Sequence, residues 1–394
     1  MSWARAMRSL AISVAVITLL SLGGLLGGGL THARAASGLP PVKHIFVIVL
    51  ENESYSATFG DPAGYPYLAG TLVKRGALLP NYYATGHDSN DNYVSLVSGQ
   101  PPNLSNQADC QSFTNFVSNS VLHNGVQTGI GCVYPAAIKT IGNQLTAKGI
   151  TWKAYEQDMG NKPSRESAAC GHPAINSPDH TEAAAPGDGY ATRHDPFVYF
   201  HAVIDNRSYC DAHVVALGSP TGAMPSASLP GETGLATDLK RAATTPAFSF
   251  ITPNLCQDGH DYPCVNQQSG ASVGADVDGF LRTWVPKITS SPAFKQGGLL
   301  EITFDEAADS DTSSCCGEAA GPGAANPGIA GPGGGRVGAL LISPYIRAGT
   351  VSRRPYNHYS SLASWEQLLG LKRLAYAATV RSTFGADVFT RHKG

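Results

Sequence analysis

The chain has 394 residues, of which 42% are hydrophobic, so it can bury one large core or two smaller ones. Its 27 basic and 29 acidic residues give a net charge of −2, which excludes the basic excess typical of a nucleic-acid-binding domain. Charged residues make up only 14% of the chain, whereas its 44 glycines and 26 prolines predict long loops.

Residues 1–35 have the pattern of a secretory signal peptide. Arg5 and Arg8 precede an apolar stretch over residues 10–30, and residues 33–35 fit an A-x-A cleavage site. The apolar stretch is also long enough to span a bilayer, so an uncleaved membrane anchor stays open as the alternative. In both cases the sequence predicts a secreted or otherwise extracytoplasmic protein, which contacts a membrane only through such an anchor.

The cysteines agree with export. An even count in an exported chain predicts about four disulfides, and their connectivity cannot be deduced from the sequence. The sequence has no C-x-x-C pair that would indicate a zinc site. The eight cysteines are Cys110, Cys132, Cys170, Cys210, Cys256, Cys264, Cys315 and Cys316.

Residues 40–394 are predicted to form a single domain in which apolar strands alternate with helices. The strands are predicted at 43–50, 151–155, 247–252, 298–304 and 337–343. The helices are predicted at 137–148, 272–288 and 361–371, with another beginning near Asn92. Long loops are predicted at 160–189 and 307–335. This order predicts an α/β fold, with a mainly parallel sheet covered by helices on both faces.

Three of the predicted strands end in acids, amides or histidine. Ligands of open α/β sheets bind just beyond the carboxyl ends of the strands, so these side chains predict one shared site. The candidates at the three ends are Glu51, Asn52, Asn254, Asp258, His260, Asp261, Asp305 and Glu306.

Two further stretches hold candidates, "TGHDSNDNYVSLVSG" at 85–99 and "YNHYSSL" at 356–362. In the first, Ser89 and Asn92 stand near the start of a predicted helix, where free backbone N–H groups favour an anion. Either residue could instead be only the N-cap of that helix. In the second, His358 precedes a helix.

The chain resembles the bacterial phosphoesterase family that holds secreted acid phosphatases and related phospholipases C, within the alkaline-phosphatase-like superfamily. The resemblance runs from about residue 42 to residue 371 and implies an alkaline-phosphatase-like fold. The motifs that carry it, in order, are "VIVLEN", "HDSNDNYVSLVSG", "YATRHDPFVYF", "FITPN…DGHD", "DVDGFL", "LLEITFDE", "LLISPYIRAGT" and "YNHYSSLASWEQLLGL".

This resemblance implies two groups of metal ligands. The first group contains only oxygen ligands, which suit Ca²⁺ or Mg²⁺, and the second mixes carboxylate with imidazole, which suits Zn²⁺ or Mn²⁺. One or two divalent ions are therefore expected, and their identity stays open. The first group is Glu51, Asn52, Asp305 and Glu306, and the second is Asp258, His260 and His358, with Asp261 as the alternative to Asp258.

The resemblance also implies catalytic residues. Ser89 matches the nucleophile position, with Thr85 as the competing hydroxyl, and Asn92 matches an Asn that helps hold the transferred phosphate. His194 matches a His at the phosphate or the leaving group. The sequence departs from the family at Asp91, where the family usually has Pro, so the nucleophile loop is more acidic here.

These residues together predict an exported, metal-dependent phosphomonoesterase that acts through a phosphoserine intermediate. A serine activated by a bound metal can attack phosphorus, and water then hydrolyses the covalent intermediate. The expected substrate is a small-molecule or lipid phosphate ester, and no nucleic-acid partner is expected. A phosphodiesterase such as a phospholipase C, or a catalytically silent surface binding protein, are the alternatives.

Overall fold

The computed structural model of the chain describes residues 38–265, 272–319 and 324–391. The predicted signal segment, residues 1–35, lies outside these described residues. Residues Gly38–Gly394 form one compact unit. Within the described ranges, no helix has the length and apolarity needed to cross a membrane.

The central sheet has eight strands in the order β11-β2-β10-β9-β1-β8-β6-β7. Two small two-stranded sheets, β12-β3 and β4-β5, accompany it. The strands of the described residues are β1 His44–Leu50, β2 Ala77–Leu79, β3 Tyr82–Tyr83, β4 Val117–Val121, β5 Gln127–Ile130, β6 Trp152–Glu156, β7 Val214–Ala216, β8 Phe248–Thr252, β9 Gly298–Phe304, β10 Ala339–Ile342, β11 Thr350–Val351 and β12 Tyr356–Asn357.

Helices fill the connections between these strands. The α-helices of the described residues are α1 Ser89–Ser98, α2 Ile141–Ala147, α3 His201–Ile204, α4 Arg207–His213, α5 Leu235–Asp238, α6 Val273–Ser290, α7 Pro292–Lys295 and α8 His358–Leu368. Two 3-10 turns, Thr192–His194 and Pro196–Tyr199, precede α3.

The sheet is mainly parallel, as predicted. The five adjacent strands β9, β1, β8, β6 and β7 run parallel to one another, and β10 is antiparallel to both β9 and β2. All seven residues of β9 are buried. Because alternate side chains of a strand point to opposite faces, the burial of a whole strand requires cover on both faces of the sheet.

The predicted strands 43–50, 151–155, 247–252, 298–304 and 337–343 correspond to β1, β6, β8, β9 and β10. The helices differ more at their ends, because capping side chains set the ends and periodicity does not. Helix α2 begins after Thr140, whose side chain accepts from Asn143 N at 3.3 Å, rather than at residue 137. Helix α8 begins three residues earlier than predicted, after Asn357, whose side chain accepts from Ser360 N at 3.0 Å.

All eight cysteines are paired in disulfides, as predicted from their even number. The pairs, which the sequence left open, are Cys110–Cys132, Cys170–Cys210, Cys256–Cys264 and the adjacent residues Cys315–Cys316. The first pair anchors the segment beside the start of α1, where Cys110 Sγ lies 3.5 Å from Asn90 Oδ1.

Candidate active site

The carboxyl ends of three neighbouring parallel strands, β9, β1 and β8, meet at one edge of the sheet. Asp305 N donates to Leu50 O at 2.8 Å, and Glu51 N donates to Asp258 O at 3.0 Å. These backbone bonds bring Glu51, Asp258 and Asp305 together. All three side chains are fully buried.

Asn52 lies at the centre of an oxygen cluster. Its terminal amide atom lies 3.2 Å from Glu51 Oε2 and 3.3 Å from both Asp305 Oδ1 and Glu306 Oε1. If this atom is nitrogen, it donates to the three carboxylates. The opposite orientation of the amide would turn its oxygen towards the same three carboxyl groups. Three carboxylates and an amide oxygen are a donor set that hard divalent cations prefer, so these residues fit a metal ion.

Ser89 is the first residue of α1 and points at Glu51. Its Oγ donates to Glu51 Oε2 at 2.9 Å. Tyr93, one turn later on the same face of the helix, donates its hydroxyl to Glu51 Oε1. Burial raises the pKa of Glu51 well above its ordinary value, and the neighbouring Asp305 and Asp258 raise it further. Glu51 therefore has the position of an acceptor for the Ser89 proton.

His194 lies between two carboxylates. Its Nε2 is 3.3 Å from Glu51 Oε2 and its Nδ1 is 3.3 Å from Asp258 Oδ2. Its ring stacks on Tyr93, with ring centroids 5.1 Å apart. Burial lowers the pKa of His194 well below its ordinary value, so the imidazole is neutral and can act as a ligand. Ligand atoms of Glu51, His194 and Asp258 lie within 4.8 Å of one another, a second arrangement that could hold a metal ion.

The site places several carboxyl groups in the protein interior, where burial raises their pKa values. Burial raises the pKa of Asp258 to about 8 and that of Asp305 to about 6. It also raises the pKa of Glu306 well above the usual range, with Asp305 as the next cause. Arg193, a buried arginine near the site, is 3.5 Å from Asp109 Oδ2 and 3.4 Å from Glu182 Oε2. A bound divalent cation would favour the ionised form of every carboxylate in the cluster.

The imidazole rings of two predicted ligands have other partners, although His260 N donates to Asp258 Oδ1 at 2.8 Å. His260 Nδ1 is 2.7 Å from Asp261 Oδ1, and its Nε2 is 3.0 Å from Arg193 Nη2. His358 Nε2 is 2.5 Å from the backbone oxygen of Asp305, and its Nδ1 is 3.1 Å from the Tyr82 hydroxyl. Both ring nitrogens of each histidine therefore already have partners. In this structure the imidazole that lies beside the Asp258 carboxylate is that of His194, at 3.3 Å, whereas the ligand roles of His260 and His358 stay predictions.

Asn92 also differs from its predicted role at the phosphate. Its Oδ1 accepts from Thr85 N and from Gly86 N, each at 2.9 Å. Its Nδ2 donates to Gly86 O at 2.9 Å and to Asp88 O at 3.2 Å. Both amide hydrogens are used, so Asn92 holds the 85–88 loop in shape and has no donor left for phosphate.

Sequence reasoning missed Tyr93 and Arg193 and left His87 and Asp91 without a clear role. Tyr93 could have been found, because it follows Ser89 by four residues on a helix. His87 contacts a carboxylate oxygen of Glu306 through Nδ1 and lies 3.1 Å from Asp311 O through Nε2. No local pattern indicates these contacts, since they join segments more than 200 residues apart.

Residues 65–372 match the sequence profile of the Phosphoesterase family. This match covers most of the chain, and the chain belongs to the phosphoesterase family. It is therefore a phosphoric ester hydrolase, in agreement with the prediction from its motifs.

Named relatives agree with this class. The phosphatidylinositol-3-phosphatase of Mycobacterium tuberculosis is 23% identical over 377 residues, which cover 95% of this chain and 92% of the relative. The probable acid phosphatase of Kluyveromyces lactis is 24% identical and covers 82% of this chain and 57% of the relative. The phosphate-repressible acid phosphatase of Penicillium chrysogenum is 26% identical, and the match covers 87% of this chain and 65% of the relative. The chain thus spans less than two thirds of these two fungal relatives.

Among solved structures, the chain is similar to a Vibrio parahaemolyticus protein described as a member of the alkaline phosphatase superfamily. The TM-score is 0.47 at 15% identity, and the match covers 84% of this chain and 67% of the other.

Proposed function

We propose that the chain is an exported, metal-dependent phosphomonoesterase in which Ser89 is the nucleophile. The observation that carries this proposal is the contact between Ser89 Oγ and Glu51 Oε2 at 2.9 Å, beside a cluster of buried oxygen ligands. The acid phosphatases and the phosphatidylinositol-3-phosphatase among its relatives support a monoester substrate, either a small molecule or a lipid. The four disulfides support export.

The proposed ligands of a divalent cation are Glu51, Asn52, Asp305 and Glu306, with His194 and Asp258 beside Glu51 for a second one. When bound, such a cation neutralises phosphate charge and lowers the pKa of a hydroxyl or water. The oxygen-only set suits Ca²⁺ or Mg²⁺, and the set that includes the His194 imidazole suits Zn²⁺ or Mn²⁺.

In the proposed reaction, Ser89 Oγ forms a bond to phosphorus while the bond from phosphorus to the leaving oxygen breaks. The serine proton passes to Glu51 Oε2, and the leaving alkoxide takes a proton from water. The hydroxide so formed attacks the phosphoserine, inorganic phosphate leaves, and Ser89 Oγ takes its proton back from Glu51. Tyr93 holds the Glu51 carboxylate in the orientation that receives the serine proton, through its hydroxyl group.

The test is hydrolysis of p-nitrophenyl phosphate beside bis-p-nitrophenyl phosphate, with and without EDTA. Ser89→Ala should abolish monoester hydrolysis, whereas Ser98→Ala serves as the matched control. Ser98 is a buried serine of the same helix whose hydroxyl bonds to Val94 O at 2.6 Å, away from the cluster. Trapping of radioactive phosphate on Ser89 after an acid quench would identify the phosphoserine directly.

Each alternative predicts a different result in the same assay. Preference for the diester would move the protein to the phosphodiesterases. Hydrolysis of neither ester, across several metals and pH values, would favour a silent binding protein. Full activity in Ser89→Ala would contradict the assignment of Ser89 as the nucleophile and favour Thr85 in that role.

A further inference from the structure

An unbroken series of hydrogen bonds between buried side chains runs from the middle of β9 to the backbone of Asp305. It begins at Glu301 and ends at His358, which contacts the Asp305 carbonyl oxygen. The contacts are Trp365 Nε1 to Glu301 Oε2 at 2.7 Å, Ser361 Oγ to Glu301 Oε1 at 2.5 Å, Tyr82 Oη to Ser361 Oγ at 2.7 Å, Tyr82 Oη to His358 Nδ1 at 3.1 Å, and His358 Nε2 to Asp305 O at 2.5 Å.

The series joins three elements, β3, β9 and α8, that lie behind the candidate site. Its five side chains, from Glu301 to His358, are all fully buried. Glu301 is the one ionisable residue of the otherwise uncharged strand β9 (GLLEITF). A carboxyl group in such a place is costly unless its hydrogen bonds are satisfied, and here both of its oxygens have partners.

The donor and the acceptor of each hydrogen bond can be assigned by starting from the Asp305 end of the series. A backbone oxygen only accepts, so His358 Nε2 carries a hydrogen, and Nδ1 of a neutral ring then accepts. Tyr82 therefore donates to His358, and its oxygen must accept from Ser361. The single hydrogen of Ser361 is then used, so Glu301 must donate to Ser361 as a neutral carboxylic acid.

The opposite arrangement would reverse the bonds from Glu301 to Tyr82 and would require an ionised Glu301 and a cationic His358. Both of these groups are fully buried, and a charge in the protein interior is costly, so the burial of Glu301 and His358 disfavours this charged arrangement. The neutral arrangement satisfies every contact without a buried charge.

We propose that Glu301, Ser361 and Tyr82 are positioning residues, which fix the tautomer of His358 and through it the backbone that joins Asp305 to Glu306. The carbonyl that His358 holds belongs to the peptide between these two proposed ligands, so its orientation sets the direction of both carboxylates. This inference rests on the proposed function, because it gives the series of hydrogen bonds the role of orienting Asp305 and Glu306, which are proposed metal ligands. It also gives His358 a role that differs from that of a ligand.

The first test is the affinity for Mn²⁺ alone, measured by calorimetry on the folded, metal-stripped protein. Tyr82→Phe keeps the ring but removes the hydroxyl that donates to His358 Nδ1. We expect its Mn²⁺ dissociation constant to rise about 10-fold, which is the usual effect of removing a partner of a metal ligand. Tyr199→Phe is the matched control, because Tyr199 is a fully buried tyrosine whose hydroxyl has no hydrogen-bond partner among the described residues.

Substitutions at Glu301 test whether its carboxyl is neutral. Glu301→Gln keeps an uncharged donor for Ser361 and an acceptor for Trp365, so it should retain most of the affinity that Glu301→Val loses. Equal losses in these two variants would overturn the neutral carboxyl. Wild-type affinity in a stably folded Tyr82→Phe variant would overturn the whole inference. If Tyr82→Phe does not fold, Ser361→Ala replaces it with the same expected loss.

The tautomer can be observed without metal or substrate, which separates this inference from the proposed function. Nitrogen-15 shifts of the His358 ring, assigned by comparison with His358→Gln, should show a neutral imidazole protonated at Nε2. A cationic ring, or a proton on Nδ1, would overturn the inference even if the enzyme is active. Absence of phosphatase activity in the wild type would instead count only against the proposed function.

Discussion

Tyr93 shares the Glu51 carboxylate with the proposed nucleophile. Its hydroxyl donates to Oε1, while Ser89 donates to Oε2 at 2.9 Å. Tyr93→Phe keeps the aromatic ring that stacks on His194 but removes one hydrogen-bond donor from the buried Glu51 carboxylate. Such a loss costs about 1–3 kcal/mol. We expect kcat for p-nitrophenyl phosphate to fall about 10-fold with little change in KM, because Glu51 loses a bond that orients it.

Tyr134→Phe is a suitable control for that variant. Tyr134 is also buried, and its hydroxyl accepts only a weak bond from Asn103 Nδ2 at 3.3 Å. Its kcat should equal that of the wild type. Equal losses of kcat in both variants, or an unchanged kcat in Tyr93→Phe, would contradict the role given to Tyr93.

Asp91 is a buried acid whose two carboxylate oxygens have no hydrogen-bond partner among the described residues. Burial raises its pKa well above the usual range, and Asp88 and Asp109 raise it further. At pH 7 the unfolded chain carries Asp91 ionised, so folding must take up a proton. Asp91→Asn removes this cost, and we expect its unfolding midpoint in EDTA to rise by about 2 °C at pH 7.

At pH 4 the advantage of Asp91→Asn should largely disappear, because the pH is then close to the pKa of about 3.9 of the unfolded Asp91, so its protonation on folding costs little. Asp309 is exposed, and Asp309→Asn removes one charge from the same region. This control should not change the unfolding midpoint at pH 7 or at pH 4. A lower midpoint for Asp91→Asn than for the wild type at pH 7 would show that the ionised carboxylate is needed, as it would be if it bound a cation.

At the scale of elements, the sequence predicted the strands that position the site better than the loops that complete it. Glu51 and Asp305 were found because each follows an apolar run, and the ends of neighbouring parallel strands must meet. The ring contacts of His260 and His358 were not predicted, because the partners of a histidine depend on distant segments, Arg193 and Tyr82 in these cases. Spacing along the chain carries no information about such contacts.

The loop at 85–88 and helix α1 are joined by the side chain of Asn92. Asn92→Asp preserves the acceptor for Thr85 N and Gly86 N but replaces both donors with a charge that faces the Gly86 and Asp88 carbonyl oxygens. We expect at least a 100-fold loss of kcat and faster proteolysis within the loop, because Ser89 follows the loop directly. Two buried acceptors without donors cost about 1–3 kcal/mol each.

Asn206→Asp provides the comparison for that substitution. Asn206 caps α4 by accepting from Tyr209 N at 3.1 Å, and aspartate fills this cap equally well. Activity and proteolysis should therefore match the wild type. Retention of activity in Asn92→Asp would mean that the loop is held by other contacts.

For the molecule as a whole, buried carboxyls couple stability to pH. Burial raises the pKa of Asp195 to about 8, of Glu301 to about 7 and of Glu366 to about 9. Each of these groups keeps a proton in the folded chain that it loses in the unfolded chain once the pH exceeds about 4.5. Their contribution to stability is therefore complete at low pH and is lost as the pH rises towards each folded pKa.

Buried histidines act in the opposite direction, but only at lower pH. The pKa of His194 and of His358 is lowered in the fold, so stability rises with pH until the unfolded histidines lose their protons near about 6.5. Above that value the carboxyls dominate. In EDTA, the free energy of unfolding should fall between pH 6.5 and 8.5 by an amount on the order of 2 kcal/mol for Glu366 alone.

Urea unfolding of the metal-free protein at pH 6.5 and 8.5 measures this fall. Glu366→Gln should reduce it, because glutamine keeps the acceptor that Leu374 N uses at 2.9 Å and does not titrate. Added divalent cation should stabilise the protein more at pH 8.5 than at pH 6.5, since it binds the ionised form of the site carboxylates. A free energy of unfolding that rises from pH 6.5 to 8.5 in EDTA would show that these carboxyls are ionised in the folded chain and paired with charges of opposite sign.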